Sequence, residues 1–77
     1  MKPLDFRVGD IVFSSENKAR AWTVLDVSES GVLLACTHLR NGNKIGEKMG
    51  KYLSVNPQWC FNIKILSIVN RTSAKVV

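Results

Sequence analysis

The residues best equipped for chemistry are few: one histidine, His38, two cysteines, Cys36 and Cys60, and a run of cations between Arg40 and Lys51. His38 lies two residues from Cys36, so alternation along an extended strand places both on one face and makes a Cys–His pair conceivable. No third group is spaced to orient such a pair. Asp5, Asp10, Asp26 and Glu29 follow no pattern that would bring two carboxylates together. No catalytic site is expected, and a histidine at a strand end reads as an exposed polar residue. Cys36, His38 and Cys60 offer three metal ligands where a closed zinc site takes four, and there is no Cys-x-x-Cys knuckle; neither metal nor cofactor is expected. Each cysteine sits inside an apolar run, so both read as reduced core residues.

What remains is charge. Arg40, Lys44, Lys48 and Lys51 fall within twelve residues and are opposed by Glu47 alone. Projecting on an arm beyond the body of a small domain, these cations could neutralise phosphates. Tyr52 lies beside them and Trp59 follows at a later turn, where exposed rings would stack on unpaired bases. The competing reading is structural, with the lysines as a solvated face and Trp59 as a cap on the core. The imbalance is regional. Residues 1–30 carry four cations against five carboxylates, a net of −1; residues 31–77 carry seven cations against Glu47, a net of +6. A basic half of this kind suits a polyanion or an acidic protein.

The elements that must position these residues are short and β-rich. Seventy-seven residues allow one domain, with a core expected over about 6–67 and a tail over 68–77. Residues 1–5 read as a loose lead-in. Phe6 and Val8 share one side of an extended segment, Gly9-Asp10 makes a turn, and Ile11-Val12-Phe13 is the first strand. Ser14 to Lys18 reads as a polar loop, followed by a strand over 20–27 with Trp22 and Val24 facing the core. Strict alternation would then bury Asp26, so a β-bulge near Leu25–Asp26 is expected to turn Asp26 outward and Val27 inward. Ser28 to Gly31 makes a hairpin loop, and the third strand runs from Val32 to Leu39 with Val32, Leu34 and Cys36 in the core. Asn41-Gly42 marks a two-residue hairpin.

Beyond that hairpin, 43–51 reads as a solvated arm or edge strand, and Tyr52–Val55 as a strand. Asn56 to Trp59 reads as a turn. The segment Cys60–Val69 matches both strand and helix spacing; its Ile and Val content favours a strand over 62–67. No apolar run approaches the ~20 residues of a membrane span, and no apolar stretch of a secretion signal follows Met1. A cytoplasmic protein without membrane contact is expected.

The order of these elements is that of an all-β, five-stranded, strongly bent antiparallel SH3-like barrel. The residues Phe6-x-Val8-Gly9-Asp10-x-Val12, with Trp22-Thr23-Val24-x-x-Val27 and Gly31-Val32, resemble the opening of small SH3-like domains of the YodC type and of the KOW-type modules of ribosomal and transcription-elongation proteins. The resemblance covers about half the chain, and its motif specifies a bend and two core valines. KOW modules usually carry a glycine where this chain has Ala19-Arg20-Ala21. The resemblance implies a binding module rather than an enzyme. The expectation is nucleic-acid binding, to DNA or RNA, through Arg40, Lys44, Lys48, Lys51, Tyr52 and Trp59, or docking on a protein of the transcription, translation or DNA-processing machinery. The alternative is a phage- or mobile-element-type modulator that inhibits or redirects a host protein through an apolar patch drawn from Ile11, Leu33, Leu39, Ile45, Met49 and Trp59. A monomer, or a weak homodimer paired through the edge at 48–54, is expected.

Overall fold

A computed structural model describes residues 1–49 and 57–71. The fold is all-β, a single antiparallel sheet that curls into a half-barrel. Its strands are β1 (Ile11–Ser14), β2 (Asn17–Val27), β3 (Val32–Asn41), β4 (Lys44–Lys48), β5 (Gln58–Cys60) and β6 (Leu66–Asn70). The order across the sheet is β4-β3-β2-β1-β6, with β5 pairing β3 alongside β4. Single 3₁₀ turns occupy Pro3–Asp5 and Ile63–Ile65. Among the described residues no helix is long and apolar enough to cross a membrane.

The sheet curls because its register slips repeatedly. An extra residue on one strand bends that strand and increases its twist. Val24 pairs with Leu34 and Asp26 with Leu33, so Leu25 is the extra residue on β2. The expected bulge is therefore present: Asp26 is exposed, its Oδ1 accepts the Val27 N–H at 2.8 Å, and Val27 packs against the core. A second irregularity separates Ala21, paired with His38, from Trp22, paired with Cys36. The concave face holds Val12, Val24 and Val32, all fully buried, with Phe6, Leu34 and Leu66. Trp22 packs against this cluster while only half-buried. The opposite face is thinner, with Phe13, Ala21 and Ala35 buried.

Several elements differ from their sequence expectations, each for a local reason. Phe6 is 2 % exposed but Val8 is 63 %. The Asp10 amide donates to the Arg7 carbonyl at 3.0 Å, and Gly9 adopts a φ of 97°, so Val8 sits at the outer corner of a turn. Residues 1–5 are ordered as a turn, with the Lys2 N–H on the Asp5 carboxylate at 2.8 Å. The loop expected over 14–18 shrinks to Ser15 and Glu16. The Ser14 hydroxyl accepts the Glu16 N–H, and the Ser15 N–H donates to the Ile65 carbonyl at 2.8 Å. Asn17 and Lys18 thereby join β2.

The Asn41-Gly42 hairpin is present, shifted by one residue: Asn41 pairs with Lys44, and Gly42-Asn43 form the turn. The expected turn at 56–59 is overturned, because Gln58 to Cys60 pair with Leu34 to Val32 as a sixth strand. That strand lies so close to Gly31 that a Cβ there would overlap the Cys60 carbonyl oxygen. The strand expected over 62–67 begins instead at Leu66, after the Ile63–Ile65 turn. It also claims 68–70 from the expected tail, since Ile68 pairs with Val12 and Asn70 with Ile11. The strand expected at Tyr52–Val55 and most of the proposed 48–54 edge lie outside the described residues.

The two ends of the described fold meet at Asp10, which is fully buried. Its Oδ2 accepts the Arg7 N–H at 2.9 Å and the Arg71 Nη2–H at 3.1 Å. The Arg71 Nη2 also donates to the Asp5 carbonyl at 2.7 Å. Taking a carboxylate out of water is tolerated only with donors of this kind around it. In a double-mutant cycle, Asp10→Ala and Arg71→Ala should each destabilise the fold, with a coupling energy of about 1–3 kcal/mol. Urea denaturation measures it, and additive single effects would show that the pair does not act as a unit.

Candidate nucleic-acid interface

The cationic arm is the β3–β4 hairpin. Lys44 and Lys48 are exposed on β4, which lies at the edge of the sheet. A further register slip between His38–Lys48 and Arg40–Ile45 bends this edge strand. Gly46 faces the bend, and a Cβ on it would sit 2.9 Å from the Leu39 carbonyl oxygen. The hairpin therefore needs a small residue between its two lysines.

Arg40 is placed differently from the lysines. Its guanidinium carbon lies 3.9 Å from the centre of the Phe13 ring. Its Nε donates to the Gly42 carbonyl at 2.9 Å and its Nη1 to the Ser14 carbonyl at 3.3 Å. The side chain thus clamps the hairpin to the β1–β2 turn, using two of its five N–H donors in these bonds. Its place follows from the slip at Ala21. Trp22 and Ala21 are consecutive and point to opposite faces. Cys36 shares the face of Trp22, while His38 shares that of Ala21 and Phe13. The expectation that Cys36 and His38 share a face is overturned by one inserted residue.

The predicted aromatic contacts divide. Lys51 and Tyr52 lie outside the described residues. Trp59 is 41 % exposed and stacks on Phe61, itself 65 % exposed, with ring centres 6.4 Å apart and planes 11° from parallel. Trp59 pairs with Leu33, five residues along β3 from the partner of Lys48 and eight from that of Lys44. At ~3.3 Å per residue these separations are at most roughly 16 and 26 Å. The lysines and the aromatic pair therefore sit toward opposite ends of β3. Of the apolar residues considered for docking, Leu39 and Trp59 are exposed, whereas Ile11, Leu33, Ile45 and Met49 are half-buried.

Among the described residues, openings indent both faces of the sheet. One, about 540 Å³, lies at the concave face between Trp22, Cys36, Trp59 and Cys60. Both cysteines are free and half-buried. Burial pushes the Cys60 thiol up, opposed by a backbone hydrogen bond from Asn62 and reinforced by the Glu16 charge, so it is a poor thiolate source. The smaller opening, about 420 Å³, lies on the other face beside Arg40 and Lys18. Among the described residues no three His, Cys, Asp or Glu side chains gather as metal ligands. Residue type and spacing gave no signal for Lys18 or for the role of Phe13, because the contact partner arrives from a strand more than twenty residues away.

His38 is half-buried, with Nδ1 2.8 Å from the Thr37 hydroxyl. Burial, and next the Lys48 charge, lower its pKa from the ordinary value of 6.5. The unfolded chain therefore takes up this proton more readily than the folded one. The stabilising share of His38 is complete above the unfolded value and is lost as pH falls from there through the folded value. The melting temperature of the parent should drop more than that of His38→Gln between about pH 7.5 and about pH 5.5; parallel profiles would contradict this. Arg40→Ala should lower stability by about 1–2 kcal/mol through loss of the ring contact and two carbonyl bonds. Lys44→Ala and Lys48→Ala should leave denaturation within about 0.5 kcal/mol of the parent.

Compared with known proteins, this chain matches no family model, and no curated protein or solved structure is significantly similar to it.

Proposed function

We propose that this protein is a non-enzymatic, cytoplasmic binding module that engages nucleic acid through the β3–β4 hairpin. The observation that carries the reading is the exposed edge strand with Lys44 and Lys48, braced beside its turn by Arg40, which pairs with Ile45 and lies against Phe13. A hairpin clamped beside its turn presents its charges with little ordering left to lose on binding. The contacts available are to phosphate rather than to base edges, so affinity should depend on salt and only weakly on sequence. The resemblance of the Val8-Gly9-Asp10-x-Val12 opening to YodC-type and KOW-type modules agrees with this reading. Lys51 and Tyr52 belong to the proposed surface by their place in the sequence, and Trp59 would contact only a strand long enough to follow β3.

A second reading draws on the exposed Trp59–Phe61 stack. Two solvent-facing aromatic rings side by side suit a protein interface, since such rings dominate binding hot spots. In that reading the protein docks on a larger host protein, as a phage- or mobile-element-type modulator would.

A salt titration of binding to single- and double-stranded DNA and RNA separates the two. On the nucleic-acid reading the parent binds at low salt, and the Lys44→Glu/Lys48→Glu variant lowers the slope of log affinity against log salt by about 1.4–1.8. Absence of binding at low salt, or a slope indifferent to both lysines, would overturn it. Capture of one stoichiometric host protein that survives nuclease and is lost in Trp59→Ala would establish the docking reading instead.

A further inference from the structure

The smaller cleft, about 420 Å³, is walled by the β1–β2 turn, the β3–β4 hairpin and β6. Phe13, buried to 7 % exposure, contributes the apolar wall under the Arg40 guanidinium. Lys18 stands in the same lining, with Asn43, Ser15 and Ser67 as neutral donors. No carboxylate lines the cleft, and among the described residues the one ion pair is Arg71–Asp10, neither member of which lines it. Two cations thus face one cleft with no counter-charge in its described walls. Lys18 comes from the net-acidic residues 1–30, so regional charge does not account for its place here.

The geometry points to a phosphodiester of a bound nucleic-acid strand as the occupant, with Arg40 and Lys18 as its cationic contacts and Asn43, Ser15 and Ser67 as neutral donors. This inference rests on the nucleic-acid reading above and extends its surface from the hairpin edge onto the opposite face of the sheet from the cysteines. Arg40 is held by the Phe13 ring and by the Gly42 and Ser14 carbonyls, and three of its N–H groups are left over from those bonds. A planar fork already fixed in place loses little freedom when it meets an oxyanion. Donors arriving from three separate walls suit a tetrahedral anion with acceptors on several sides better than a flat carboxylate. Asn43 precedes Lys44 in the hairpin, so a strand with one phosphate in the cleft continues directly toward the exposed lysine.

The test is Lys18→Gln, an exposed change that leaves the core untouched, in the full chain against a short oligothymidylate. The slope of log affinity against log salt should fall by about 0.7, one single-strand phosphate contact. Lys18→Arg should restore it. In the parent, backbone amide resonances of Ser15, Lys18, Asn43 and Ser67 should shift on adding the oligonucleotide. If the oligonucleotide binds but Lys18→Gln keeps the parental slope and shifts are confined to 44–48, the cleft inference is overturned while the hairpin reading stands. If the parent does not bind at low salt, both fall.

Discussion

A carboxylate with no exposure to water must be satisfied by the protein or the fold does not form around it. Asp10 meets this requirement by drawing three parts of the chain to one point. Its side chain accepts the Arg7 amide from its own turn and the Arg71 guanidinium from sixty-one residues away. Its backbone carbonyl accepts the Val24 N–H, and the adjacent Gly9 N–H donates to the Val24 carbonyl, both at 2.8 Å. The turn is therefore fastened to β2 through main chain and to the end of β6 through side chain. Since β1 runs between β2 and β6, this residue governs how the sheet closes on that side. Arg71 stays partly exposed while Asp10 is buried, so the pair draws much of its strength from hydrogen-bond geometry rather than from charge alone.

Closure at Asp10 acts on one side of the sheet, and the other side ends at β4. There β4 and β5 share β3 as a neighbour, one at each end. Lysines on an edge strand discourage pairing with another sheet, so Lys44 and Lys48 protect the fold at this edge. Arg40 serves the opposite purpose beside the hairpin turn, where its stack on Phe13 and its bond to the Ser14 carbonyl tie the arm to β1. A cation used structurally and two cations left exposed thus arise from one short basic run.

Much of the scaffold was legible because it obeys local rules. β-branched runs separated by Gly, Asn, Ser and Asp marked the first three strands and the hairpin at Asn41-Gly42. The conflict between alternation and a buried Asp26 located the Leu25 bulge, since a single misplaced charge in an otherwise apolar parity needs one extra residue to resolve it. The same reasoning failed at His38, where neither Cys36, Thr37 nor His38 is costly on the wrong face. The slip there left no trace in composition, yet it moved His38 and Arg40 to the face opposite Cys36.

What the amino-acid sequence determined by itself, then, was the class of fold, its leading strands and the concentration of positive charge in the second half. Those features depend on propensity, alternation and turn chemistry, which act within a few residues. Tertiary structure alone decided that Gln58–Cys60 is a strand, because it becomes one only by seating against β3 where Gly31 leaves room. It alone decided that Arg71 completes Asp10, that Arg40 lies on Phe13, and that Lys18 and Arg40 share a cleft. Each of these joins residues distant along the chain, and no local pattern encodes a partner whose arrival depends on the accumulated twist of the sheet between them.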